Sequence, residues 1–172
     1  SVGSYQACAA FVRDARNAGL DAPIANISFV GSQSMANLLR DACKENNGNY
    51  LTGHIITQVA PSYEDFTLPA VVEYRKLMDR YADTPLPAPA RAEEPAYVPL
   101  PYCFTSFEGF LDAKILVEAL RAFGRLPRRA ELARALESFT SGDVGLDAPV
   151  GFGPERHQGF DAVYFTTLRE NA

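Results

Sequence analysis

Few residues in this sequence are arranged for covalent chemistry. It holds two histidines, His54 and His157, and three cysteines, Cys8, Cys43 and Cys103. It has no GxSxG, HExxH, P-loop or GxGxxG motif. His54 stands beside Ile55-Ile56 with no neighbouring Cys or carboxylate. His157, in Glu155-Arg156-His157-Gln158-Gly159, reads as a loop hydrogen-bonding residue. Zinc takes three or four protein ligands, and no such cluster can be assembled from the spacing, so neither a metal nor a cofactor is expected. The cysteines lack CxxC spacing and read as small buried hydrophobes. One disulfide among the three stays open, with the pair undetermined. Glu93-Glu94 lies in a proline-rich stretch and reads as solvated. Arg125, Arg128 and Arg129 read as cations placed favourably near a helix C-terminus. An enzymatic function is therefore not expected.

Two short segments carry binding chemistry instead. Gly3-Ser4-Tyr5-Gln6 precedes the first helix, and Val30-Gly31-Ser32 joins a strand to the second. In open α/β sheets, ligands sit outside the carboxyl ends of the strands, on loops that lead into helices. There a tyrosine offers an aromatic face and a hydroxyl, and opening helix amides receive acidic groups. Tyr5 could equally pack on its loop, and Ser32 could equally be only a helix N-cap. Both segments should emerge on one edge of a parallel sheet, which is the reason to group them.

The elements that would position these segments follow from hydrophobic spacing. Ala7, Cys8, Phe11, Val12 and Ala15 recur at helical intervals up to about Asn17, with Gly19 as a stop signal. Pro23–Val30 reads as a buried strand and Gly31–Cys43 as a second helix, ending in Asn46-Asn47-Gly48-Asn49. Gly53–Val59 reads as a second strand and Leu68–Tyr81 as a third helix. Alternating helices and strands predict an α/β fold with a parallel sheet and helices on both its faces. From Thr84 to Pro101 six of the twelve prolines cluster, which excludes helix or central strand and predicts an extended connector. Thr105-Ser-Phe-Glu108 matches a capping box. It opens a helix with a broad apolar face of Phe107, Phe110, Leu111, Ile115, Leu116, Ala119, Leu120 and Phe123, stopped by Gly124. Arg128–Phe139 reads as a further helix and Phe160–Leu168 as a last strand.

Composition sets outer bounds. The 172 residues carry a net charge of −5, 47% hydrophobic residues and 22% charged residues. That suits a globular chain with a real core. Mild acidity gives no footprint for nucleic acid, and no apolar run reaches the ~18 residues of a membrane span.

Five stretches in order resemble the second half of the type I periplasmic solute-binding proteins of the branched-chain amino acid class. They are VGSYQACAAFVRDARNAGLDAPIANISFVGS, TGHIITQVAP, LPAVVEYRKLMDRYA, YCFTSFEGFLDAKILVEALRAFG and PERHQGFDAVYF. The resemblance covers nearly the whole chain. It implies a partial Venus-flytrap fold in an extracytoplasmic protein whose signal peptide has been removed. Such a protein binds an amino acid or a small aromatic or aliphatic carboxylate and presents it to an ABC permease. A sensory receptor ectodomain uses the same fold and is an alternative; a flavodoxin-like enzyme domain is another, though no titratable cluster on the loop edge speaks for it.

By that resemblance the Tyr5 ring meets the ligand; Ser4 and Ser32 are the candidates for hydrogen bonds to it, and Thr52 for its polar end. The position before the strand Gly53–Val59 often carries an acid for the ligand ammonium; here it is Thr52, which would suit a ligand without an amine. Family members are about twice this long, so the chain is expected to be a C-terminal fragment. Residues 1–83 would belong to the second lobe, 84–104 to a connector crossing between lobes, and 105–172 to helices of the first lobe plus a returning strand. Without a companion half, the broad apolar helix face would be bare, and burying each large side chain is worth ~1.5–3 kcal/mol. Self-association or a missing N-terminal half is expected to cover it.

Overall fold

The computed structural model describes residues 1–89, 98–125 and 127–168. Glu93, Glu94 and much of the proline-rich stretch lie outside these. Two compact units emerge. The first comprises Ser1–Pro61 with the stretch that begins at Ala162, and the second comprises Ser62–Asp161.

In the first unit, α1 (Tyr5–Asn17) leads to β1 (Ile24–Asn26) and a 3-10 turn at Ser28–Val30. Then come α2 (Ser32–Asn46), β2 (His54–Gln58) and β3 (Tyr164–Thr166). β1 and β2 pair in parallel, with Ile24 opposite His54 and Asn26 opposite Ile56. The α/β class is therefore as the pattern predicts. β3 is added to β2 antiparallel, with Ile56 opposite Thr166 and Gln58 opposite Tyr164. Helix–strand alternation does not specify the direction of a strand that returns from far along the chain.

Strand residues alternate between faces. Ile24, Asn26, His54, Ile56 and Gln58 are buried. Ile24 and Ile56 join Cys8, Ala9 and Val12 of α1 and Met35 and Leu39 of α2 in one core. Ala25, Ile55 and Phe165 point the other way and are exposed, Phe165 at 72%. Within this unit α1 and α2 pack on the face of the sheet that carries Ile24 and Ile56.

The strand expected over Pro23–Val30 stops at Asn26. Its apolar tail turns into the 3-10 segment, and Phe29 is 73% exposed. Arg16, near the end of α1, fastens the far edge of the sheet. Its guanidinium donates to the carbonyls of Leu20 (2.6 Å), Ala22 (2.9 Å) and Thr52 (3.1 Å). Gly53 follows at φ +73, where a Cβ would stand 3.0 Å from Arg16 Nη2.

The second unit contains α3 (Pro69–Arg80), α4 (Phe104–Phe123), a 3-10 turn at Arg129–Glu131 and α5 (Leu132–Glu137). Tyr74 of α3 is buried, and its ring lies 5.0 Å from that of Phe107 and 5.8 Å from that of Phe110. Its hydroxyl meets Ser106 Oγ at 2.5 Å and accepts from Cys103 N–H at 3.2 Å. The capping box expected at Thr105–Glu108 does not form. Cys103 is the N-cap, extended at φ −161, and its Sγ accepts from Ser106 N–H at 3.4 Å. Tyr74 holds the backbone at Cys103, so the helix begins one residue before Thr105.

Tyr74 also joins α3 to α4 within the second unit. The apolar face of α4 is partly sheltered by its own chain. Phe107 and Leu111 are buried, and Ala119 packs with Phe139, Val144 and Val150 from the turn-rich tail. Phe110, Ile115, Leu120 and Phe123 are half-buried, and Leu116 is 38% exposed with Val117 beside it. The burial argument for self-association is weaker by that amount. Arg125 is committed as well. It grips Glu131 with both Nη atoms (3.0 and 2.7 Å), and Arg128 N–H donates to the same carboxylate at 3.0 Å. This lowers the Glu131 pKa to about 2.

Two outcomes follow. Phe107→Ala should destabilise the second unit by ~3–5 kcal/mol, read as a lowered urea midpoint; a loss under 1 kcal/mol would contradict the burial described. His54 is buried with Nε2 2.9 Å from the Tyr50 carbonyl. Burial lowers its pKa below 6.5 against that raising bond, and nearby Arg16 lowers it further. The folded chain therefore binds fewer protons at this site than the unfolded one. The contribution is full above about pH 6.5 and falls as pH drops from there toward the lowered value. His54→Gln should flatten the decline in urea midpoint between pH 7 and 5; an unchanged slope would refute it.

Candidate functional site

β1 and β2 run in parallel, so their carboxyl ends share one edge, and both helices of the first unit begin there. The α1 end is placed by Ser1, whose Oγ donates to Asn26 Oδ1 at 2.6 Å. The α2 end is placed by Gly31, in the left-handed region at φ 69 and ψ 70. Glycine reaches that conformation without steric cost. A Cβ on Gly31 would stand 4.0 Å from Tyr5 Cδ1, so the Tyr5 ring lies beside the start of α2. The grouping of the two loops is thus realised.

The individual residues differ. Ser4 is the exposed N-cap of α1, and its side chain makes no cap bond. Tyr5 is 37% exposed. Ser32 opens α2 but is buried, and its hydroxyl is used inside the unit. It accepts from Gln58 Nε2 at 3.1 Å and lies 3.2 Å from Gln33 Oε1, which it can reach as donor.

Thr52 does not join this cluster. It lies two residues before the first residue of β2, while Gln58 marks the carboxyl end. Its hydroxyl donates to Asn49 Oδ1 at 3.2 Å and its carbonyl accepts from Arg16. The parallel direction of β2 puts Thr52 on the edge opposite Tyr5.

Three residues of this edge escaped the sequence reading. Gln58, 1% exposed, closes β2; its Nε2 reaches both Ser32 Oγ and, at 3.5 Å, Thr166 Oγ1. Thr166 in turn donates to the Ile56 carbonyl at 3.2 Å. Asn26 closes β1 and is 2% exposed. Phe29 stands out from the loop between β1 and α2. The legible signal for Asn26 and Gln58 was a lone amide inside an apolar strand run, because such a side chain must find partners once buried. Phe29 left no such signal, since an exposed Phe and a core Phe look alike in sequence.

Chemically, the edge combines aromatic surface from Tyr5 and Phe29, buried amides, and the opening turns of two helices. It has no nucleophile–base pair. Among the described residues, no group of three or more His, Cys, Asp or Glu side chains is placed to hold a metal ion, and no helix is long and apolar enough to cross a membrane.

No family model and no curated protein matches the chain. Solved structures do. A protein described as a possible leucine/isoleucine/valine-binding protein from Rhodopirellula baltica is 30% identical, with a TM-score of 0.74 over 96% of this chain and 39% of its own. A substrate-binding periplasmic protein from Ralstonia solanacearum is 24% identical, with a TM-score of 0.69 over 96% and 41%. A branched chain amino acid ABC transporter protein from Thermus thermophilus, with bound valine, is 16% identical, with a TM-score of 0.64 over 94% and 40%. The last two speak for the fold alone. The chain spans about two-fifths of the length of the structures it matches.

The buried amide of Gln58 generates one expectation. Gln58→Ala leaves the Ser32 and Thr166 hydroxyls without their shared donor and should cost about 1–3 kcal/mol, seen in thermal or urea unfolding of the first unit. Unchanged stability would show that the contacts carry no weight.

Proposed function

From a chain that carries the fold of the leucine/isoleucine/valine-binding-like periplasmic proteins, over about two-fifths of their length, we propose a solute-binding function without catalysis. The observation that carries this reading is the meeting of Tyr5 with the start of α2 at the carboxyl ends of β1 and β2. Ligands of open α/β sheets bind at that edge. The protein works outside the cytoplasm and delivers a small organic solute to an ABC permease. Ser4 and Tyr5 touch the solute directly. Ser32, whose hydroxyl is engaged by Gln58, contributes through the opening backbone of α2.

In the whole protein the helices between residues 105 and 139 face a first lobe that closes over the same edge. Affinity of this chain alone is then weak, because one wall of the cleft is supplied by material outside these residues.

Isothermal titration against branched-chain amino acids and matching carboxylic acids tests the reading. Tyr5→Ala should weaken binding about tenfold, which is ~1.4 kcal/mol, with unfolding stability unchanged within ~0.5 kcal/mol. A variant that binds every solute as well as the parent would remove Tyr5 from the site. Detectable turnover of any bound solute would sink the non-catalytic reading.

A further inference from the structure

Asn47-Gly48 is the one Asn-Gly pair in the sequence, and it lies at the end of α2 away from the solute edge. Asn47 is the C-cap of that helix, in the left-handed region at φ 51 and ψ 32. Among the described residues it alone, glycines aside, has a positive φ. Its exposed side chain has no hydrogen-bond partner among the described residues, and neither does the Gly48 N–H. The other described asparagines are held. Asn17 Oδ1 accepts from Tyr50, Asn26 Oδ1 from Ser1, Asn37 Oδ1 from Arg40 and Asn49 Oδ1 from Thr52. Asn46 Nδ2 donates to the Ala42 carbonyl.

An asparagine amide and the backbone nitrogen of the next residue are tethered so that they can close a five-membered ring, and tethering of this kind lowers a barrier strongly. A side chain on that next residue hinders the approach, and glycine has none. The fold keeps glycine here. A Cβ on Gly48 would stand 2.6 Å from Tyr50 Cζ, and Tyr50 is buried with its hydroxyl on Asn17. Ring closure turns ψ of Asn47 away from its value in this structure. At a helix end, where the chain frays, neither the Asn47 side chain nor the Gly48 N–H has a hydrogen bond to break first.

We propose that Asn47 is a site of spontaneous deamidation in the folded chain. The Gly48 nitrogen gives its proton to solvent base and attacks Asn47 Cγ. The N–Cγ bond forms, the Cγ–Nδ2 bond breaks, and Nδ2 takes a proton from water and leaves as ammonia. Water then opens the cyclic imide. Cleavage at Cγ leaves an aspartate in an ordinary backbone; cleavage at the α-carbonyl leaves an isoaspartate, with the main chain running through the side-chain carbons. In sum, amide and water become carboxylic acid and ammonia, with no change of oxidation state. The new carboxylate stands at the negative end of the α2 dipole, an unfavourable place for an anion.

The folded 172-residue chain and its Asn47→Gly variant are incubated in mildly alkaline buffer and followed by intact mass and peptide mapping. Glycine suits a left-handed C-cap, so the variant retains the turn. The parent should gain the mass difference between an amide and an acid. Mapping should place it at residue 47, as aspartate and isoaspartate, at least about tenfold faster than at any other asparagine, a barrier difference of ~1.4 kcal/mol. The variant should lose that fast phase. Deamidation spread evenly over other asparagines would overturn the inference, as would a variant that gains mass as fast as the parent. So would a parent of constant mass under conditions that deamidate a short peptide carrying residues 45–51. Mapping on the parent decides the question by itself if the variant does not fold.

Discussion

Parallel pairing of β1 with β2 is the constraint on which the rest of the first unit depends. Two parallel neighbours cannot be joined by a tight turn, so the chain must cross back over the sheet, and α2 is that crossing. Once it is in place, α1 and α2 both begin at the carboxyl ends of the strands. Their dipoles then point the same way, and every donor at their starts gathers on one edge. The antiparallel β3 does not alter this. It seals β2 with Thr166 against Ile56 and brings Tyr164 beside Gln58.

Polar burial gives that edge its character. Gln58 and Asn26 end adjacent strands on the helix-covered face, and both are almost fully buried. Gln58 is satisfied within the unit by two hydroxyls, so it stiffens the floor of the edge. Asn26 is satisfied on one side only: its Oδ1 accepts from Ser1, and its enclosed Nδ2 meets no partner among the described residues. Two side-chain amides, each closing its strand, thus differ in their partners, and the difference lies in what each neighbouring loop provides.

The second unit rests on a different device. Tyr74 anchors the chain at Cys103 through its hydroxyl, while its ring packs against Phe107 and Phe110. That single side chain explains why α3 belongs with α4, why the helix is capped by a thiol, and why Phe107 is covered. A reading based on hydrophobic spacing sees the broad stripe on α4 and expects it to lie bare. It does not see that Tyr74 and the turn-rich residues Val144 and Val150 come back to cover it, because neither has a periodic pattern that points to α4.

The sequence by itself determined the class of fold, the order of its elements, and the two loops that meet beside Tyr5. Those follow from spacing, stop signals and the short links that parallel units require, all of which are local. Tertiary structure decided the rest. It put Thr52 on the far edge, enclosed Ser32, turned Phe29 outward and aligned β3 antiparallel. It also left Asn26 with an unpaired donor. Each of these depends on strand direction or on contact between residues far apart in the chain. Spacing along a polypeptide reports which side of a helix or strand a residue occupies, but not which end of the sheet it reaches or what it meets there.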